Sequence, residues 1–200
     1  KTTVVDIFSL QFENYIYLNL DLKEDRELFE KAYSFEQMIQ ALFFQKNTQR
    51  DSGTTLIFID EIQNVPKAVA LLRYFYEKTP DLYVIAAGSM LESVIDLKVS
   101  FPVGRVEYLI LRPLSFKEFL VALEESQAVE ILSRVPIPEF AHDKLLKLFH
   151  EYALIGGMPE IVTSYAQWKD PVKLKDIYEN LITSYLDDVE KYARSSKQAN

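Results

Sequence analysis

One apolar run, Leu56-Ile57-Phe58-Ile59, leads directly into two acids, Asp60 and Glu61. Carboxylates side by side at the end of a buried strand suit a metal-assisted displacement. The first would hold Mg2+, usually through water, and the second would orient or deprotonate an attacking water, the pattern known as Walker B. The same pair suits a helix cap or a surface turn, and the dipeptide alone does not separate these readings. A second apolar run, Leu82-Tyr83-Val84-Ile85-Ala86, stops at Ala87-Gly88-Ser89. The Ser89 hydroxyl would there touch a terminal phosphate or the lytic water, and it serves equally as the N-cap of a following helix. The chain opens Lys1-Thr2-Thr3, the ending of the phosphate-loop pattern G-x-x-x-x-G-K-[ST]. In that pattern the lysine reaches the β- and γ-phosphates and the hydroxyl holds Mg2+. A Lys-Thr pair has no specificity by itself. Its weight comes from the acid pair downstream at a strand end.

These groups meet only if strands and helices alternate in the right order. A helix follows the opening residues, with Val5, Phe8 and Phe12 as its apolar side. Residues 15–20 (YIYLNL) predict a strand, and 24–32 a charged helix. Ser34 followed by Gln37 is a capping-box signal for a helix through Met38, Ile39, Leu42 and Phe43, which RDSGTT interrupts. The LIFI run predicts a strand buried on both faces. Pro66 opens a helix bearing Val69, Leu72, Phe75 and Tyr76; residues 82–86 and then Val106 to Leu111 predict further strands, the latter ended by Pro113. Strands separated by helices imply parallel crossovers and a layered α/β sheet whose ligands sit at the strands' carboxyl ends. After Pro113 only helical periods occur, opened by Ser115 and Glu118 and broken at 135–138, 156–159 and 170–171. The division expected is an α/β core over 1–112 and a helical lid or winged-helix-like region over 113–200.

Composition narrows the class further. Thirteen Phe and twelve Tyr against five Gly indicate a bulky packed core with few flexible loops. The absence of Cys excludes disulfides and thiolate metal sites. No apolar run approaches the ~20 residues of a membrane span and no secretory signal opens the chain, so no membrane partner and a cytoplasmic location are expected. A formal charge of −8 argues against a surface devoted to polyanions. Lys144, Lys147, Lys169, Lys173 and Lys175 are interleaved with apolar and acidic residues and read as solvated helix faces. His142 and His150 lack nearby acids at metal spacing and read as polar-face or boundary residues, and Trp168 as core edge.

Several blocks in fixed order carry a resemblance: KTT at 1–3, FENYIYLNLD at 12–21, LIFIDEIQNVP at 56–66 and LRYFYEKTPDLYVIAAGSML at 72–91. They continue with SFPVGRVEYLILRPLSFKEFL at 100–120 and LIGGMPEIV at 154–162, covering nearly the whole chain. With these the sequence resembles a family of bacterial and archaeal P-loop ATPases of the AAA+ superfamily, whose members commonly carry a C-terminal domain of unknown function. The resemblance implies a P-loop NTPase-like parallel sheet sandwiched by helices, using ATP and Mg2+. Lys1 and Thr2 correspond to the end of Walker A, Asp60 and Glu61 to Walker B, and Ser89 to the position called sensor 1. Gly104-Arg105 matches a Gly-Arg pair that places an arginine near the nucleotide or, through self-association, at a neighbour's site; the alternative is a surface salt bridge. Gly156-Gly157-Met158-Pro159 marks entry to the helical part, with glycine permitting a tight turn and Pro159 starting the next helix.

The pattern departs at its front, because the loop glycines and the central strand before them are not in this chain. The expectation is that the protein extends upstream, and that this stretch alone binds nucleotide weakly and is inactive. The function expected is Mg-dependent ATP hydrolysis coupled to conformational change in an attached effector region, with a protein or DNA partner reached through a C-terminal region. The alternatives are a nucleotide-dependent regulatory switch or DNA-associated module with little or no hydrolysis, and a scaffold without nucleotide.

Overall fold

The computed structural model describes residues 1–31, 33–88 and 104–198. The chain divides into two compact units, Lys1–Ile110 and Leu111–Asn200. In the first, three parallel strands pair in the order β1 (Asn14–Asn19), β2 (Thr55–Asp60), β3 (Leu82–Ala86). The register sets Asn19 beside Asp60 and Ile59 beside Ala86. Every residue of β2 is buried, as its unbroken apolar run predicts for a central strand.

Successive side chains point to opposite faces of a sheet, and the burial divides accordingly. Ile16, Leu18, Ile57 and Ile59 pack against Leu28 and Phe29 of α2 (Lys23–Glu30), Met38, Ile39 and Leu42 of α3 (Phe35–Gln45), and Val69 and Phe75 of α4 (Pro66–Lys78). On the other face Leu56 and Phe58 pack with Tyr15, Ile85, Phe12 and Val5 of α1 (Thr2–Ser9). α3 starts on the predicted capping box: Ser34 Oγ accepts from the Gln37 amide and Gln37 Oε1 from the Ser34 amide. α4 starts with Pro66 in its first turn, where a missing amide costs nothing.

Two expectations need correction. α1 ends at Ser9, so Phe12 lies in the following turn, with its ring edge-on to Phe8 and Tyr83. Val106 to Leu111 forms no strand. Among the described residues the sheet stops at β3, and without a neighbouring strand this apolar segment has no ladder to join; Leu109 is 91 % exposed.

A buried ion pair secures the carboxyl end of β1. Asp25, only 4 % exposed, accepts the Asn19 amide at 2.8 Å and Lys46 Nζ at 2.8 Å, joining α2, the strand tip and the end of α3. Removing one partner of such a pair leaves an uncompensated charge. Lys46→Met is therefore expected to cost about 2–3 kcal/mol in chemical denaturation, reduced from the fully buried case because the lysine is partly exposed. A loss within experimental error would show that the pair contributes nothing.

The second unit is helical, with no strand among its described residues: α5 (Phe116–Ala122), α6 (Ser126–Leu132), α7 (His142–Ile155), α8 (Pro159–Trp168) and α9 (Lys175–Gln198). Ser115 and Glu118 form the predicted capping box at α5. One apolar cluster gathers Phe119, Ile155, Ile161, Val162 and Leu174, and another Leu120, Ala128, Leu145 and Leu148. Gly156-Gly157 joins α7 to α8. Gly156 ends α7 at φ 74°, ψ −173°, a region open essentially to glycine. Gly157 O accepts the Leu114 amide at 2.7 Å, and Pro159 begins α8. Tyr152 donates its hydroxyl to Leu114 O and Tyr178 to Ile155 O, at 2.8 and 2.6 Å.

Candidate functional site

The strand tips of the first unit bring Lys1, Thr2, Asp60 and Glu61 together. Asp60, 5 % exposed, ends β2 on the face that α1 covers, and Thr2 opens α1. Thr2 Oγ1 donates to Asp60 Oδ2 at 2.8 Å. Lys1 Nζ lies 3.4 Å from Glu61 Oε1. Burial of Val5 against Leu56 and Phe58, and a 2.7 Å bond from the Tyr15 hydroxyl to Asp6 Oδ1, fix α1 in this place. The positive end of the helix dipole thus faces two carboxylates across a gap bridged only by side chains.

The backbone at the acid pair is unusual. Glu61 adopts φ 52°, ψ 42°, the left-handed region, which costs a non-glycine residue about 1 kcal/mol. Three bonds hold it there. Asp60 Oδ1 accepts the Glu61 amide at 3.0 Å, the Ile62 amide reaches Ala87 O at 3.0 Å, and the Asn64 amide reaches Glu61 O at 3.1 Å. The bend turns Glu61 out of the sheet's alternation, so that adjacent acids at a strand end face one place.

Two residues at the site were assigned no role from the sequence. The Tyr17 hydroxyl lies 3.4 Å from Asp60 Oδ2, and burial first, then the negative charge of Asp60, push it above the ordinary tyrosine range. Gln63 Nε2 donates to Glu61 Oε2 at 2.5 Å. The period-two alternation puts Tyr15 and Tyr17 on one face, yet only the β1–β2 register shows that this is the face of Asp60. Gln63 stood in the IDEIQ block without an assigned role.

Arg105 stands apart from the group. Its Nε donates to Glu77 Oε1 at 2.7 Å, and Arg73 Nε reaches the same oxygen at 2.9 Å, together holding the Glu77 carboxyl below the usual range. Glu77 is in the last turn of α4, whereas the acid pair precedes the helix's first turn. Ser89 lies outside the described residues. His142 sits 3.8 Å from Asp143, both exposed, and no group of three or more His, Cys, Asp or Glu placed to hold a metal occurs among the described residues.

A parallel sheet with helices on both faces, whose central strand delivers an acid pair to the Lys-Thr start of a helix, defines a P-loop-type nucleotide-binding domain. The family model described as "AAA domain" matches residues 1–120, more than half of the chain, and the chain belongs to that family. A second model, "Domain of unknown function (DUF8612)", matches residues 146–200. Among solved structures the chain is similar to a Walker-type ATPase of Pyrococcus abyssi, with 14 % identity and a TM-score of 0.49, covering 90 % of this chain. The chain spans 64 % of that structure's length. Comparison with curated proteins gives no match. No helix among the described residues is long and apolar enough to cross a membrane.

Proposed function

We propose that this AAA-family chain binds ATP with Mg2+ and hydrolyses the β–γ phosphoanhydride, the turnover being coupled to conformational change in an attached effector region. The observation that carries the reading is the 2.8 Å approach of Thr2 Oγ1 to Asp60 Oδ2 beside the Lys1–Glu61 pair. A hydroxyl and one carboxylate are a sparse set for a cation. They suit Mg2+, which prefers oxygen, keeps several waters and completes its shell with substrate phosphates. When bound, the metal neutralises charge on the β- and γ-oxygens. Lys1 would exchange its contact with Glu61 for those phosphates, and Thr2 and Asp60 would hold the metal. Glu61 would accept a proton from water as the water oxygen bonds to the γ-phosphorus, and the bond to the bridging oxygen breaks with its electron pair leaving on ADP. Ser89 would contact the γ-phosphate.

Arg105 belongs to the proposal as a residue offered to the nucleotide of a second copy, since helix α4 separates it from its own acid pair. Partners beyond ATP, protein or DNA, would engage through the C-terminal region, and the cytoplasm is the setting proposed.

The reading is tested by phosphate release from MgATP with and without a chelator. Expected, in protein carrying a complete phosphate-binding loop, is turnover that the chelator abolishes; binding with no turnover would instead support a nucleotide-dependent switch. Thr2→Val keeps the side chain's shape but loses the hydroxyl. It is expected to raise the Mg2+ concentration for half-maximal nucleotide binding about tenfold, the worth of one ligand or charged hydrogen bond. An unchanged Mg2+ titration would remove Thr2 from the metal.

A further inference from the structure

Glu61 is held by more than the backbone. Its Oε2 accepts the Gln63 side-chain amide at 2.5 Å, while Oε1 faces Lys1 Nζ at 3.4 Å. The backbone of Gln63 belongs to a single 3-10 turn, Ile62–Asn64. That turn is pinned by the fully buried Ile62 side chain and by the Ile62 amide on Ala87 O. A carboxylate that is to take a proton needs orientation without neutralisation. An ammonium or guanidinium in this place would orient it and also depress its basicity, whereas an amide is a neutral donor. The two oxygens are thereby given separate duties. One is tied back to the turn, and the other is left on the side of the phosphate-facing lysine.

We propose that Gln63 is a positioning residue for the hydrolytic reaction, fixing the Glu61 carboxylate through its Oε2 so that Oε1 is presented to the attacking water. The inference rests on the hydrolysis reading above, with the Gln63–Glu61 geometry as its own observation. Gln63 touches neither substrate nor metal in this scheme, and the effect proposed for it passes through its bond to Glu61.

Two measurements on the full chain test it. In the ligand-free protein the Gln63 side-chain NH2 is expected to give two resolved, exchange-protected 15N-correlated signals, which collapse toward the free-amide position in Glu61→Ala. In MgATP turnover, Gln63→Leu and Gln63→Asn, the latter polar but too short to reach, are expected to lower kcat about 10- to 100-fold, with the KM for ATP and the Mg2+ requirement within about twofold. A purely structural role would move the thermal midpoint and KM together, and melting curves of both variants report it. Wild-type turnover with unaltered kcat in both variants, or amide signals indifferent to Glu61→Ala, overturns the positioning role alone. Absence of turnover in the wild type overturns the hydrolysis reading and this inference with it.

Discussion

Replacing Glu61 with Gln is expected to lower MgATP turnover by about 100- to 10,000-fold while leaving nucleotide bound as tightly as before, or slightly tighter. The substitution keeps the shape and the left-handed backbone but removes the carboxylate that, in the mechanism proposed above, accepts the water's proton. It also removes the negative partner of Lys1, 3.4 Å away, which in the free protein competes with phosphate for the lysine. Phosphate-release kinetics and calorimetry with MgATP read the two effects separately. Retained turnover would take the general-base role away from Glu61, and weakened binding would show that its part is structural.

The second large effect lies in the helical unit. A Cβ built on Gly157 would stand 2.2 Å from Leu114 O and 2.9 Å from Leu114 N, both backbone atoms with no rotamer to yield. Gly157→Ala must therefore part the two chain segments, breaking the 2.7 Å bond from the Leu114 amide and moving the oxygen that Tyr152 bonds. A loss of about 3 kcal/mol or more is expected, combining overpacking with lost hydrogen bonds. Nothing lies within 4 Å of a Cβ on Gly156, where the residue's conformation is the obstacle. Gly156→Ala is expected to cost about 1–3 kcal/mol through backbone strain alone. The single Trp168, at the end of α8, reports unfolding of this unit by fluorescence in denaturant. Equal midpoints for wild type and Gly157→Ala would show that the contact relaxes at no cost.

Much of this was legible because it is local. Ser34 with Gln37, Ser115 with Glu118, and Pro66 and Pro159 announce helix starts through groups within one turn of each other, and the structure makes those same bonds. The LIFI run states its double burial in its own composition. What could not be read is long-range or conformational. Val106 to Leu111 has a strand's apolar and aromatic composition, but a strand exists only in a ladder, and the neighbour is a property of the sheet. Thr2 and Asp60 could be matched by motif, whereas Tyr17 needs the parallel register and Gln63 needs the reversal at Glu61, neither of which any residue type announces.

Among the described residues the covering of the sheet is lopsided. Three helices seal one face, and an eight-residue helix with the turn after it shelters Leu56 and Phe58 on the other. The piece that would grasp a triphosphate is therefore also a thin roof over half the core. A ligand clasping its first turn restrains the fluctuations that let water reach beneath it, so occupancy at the rim is felt as rigidity inside.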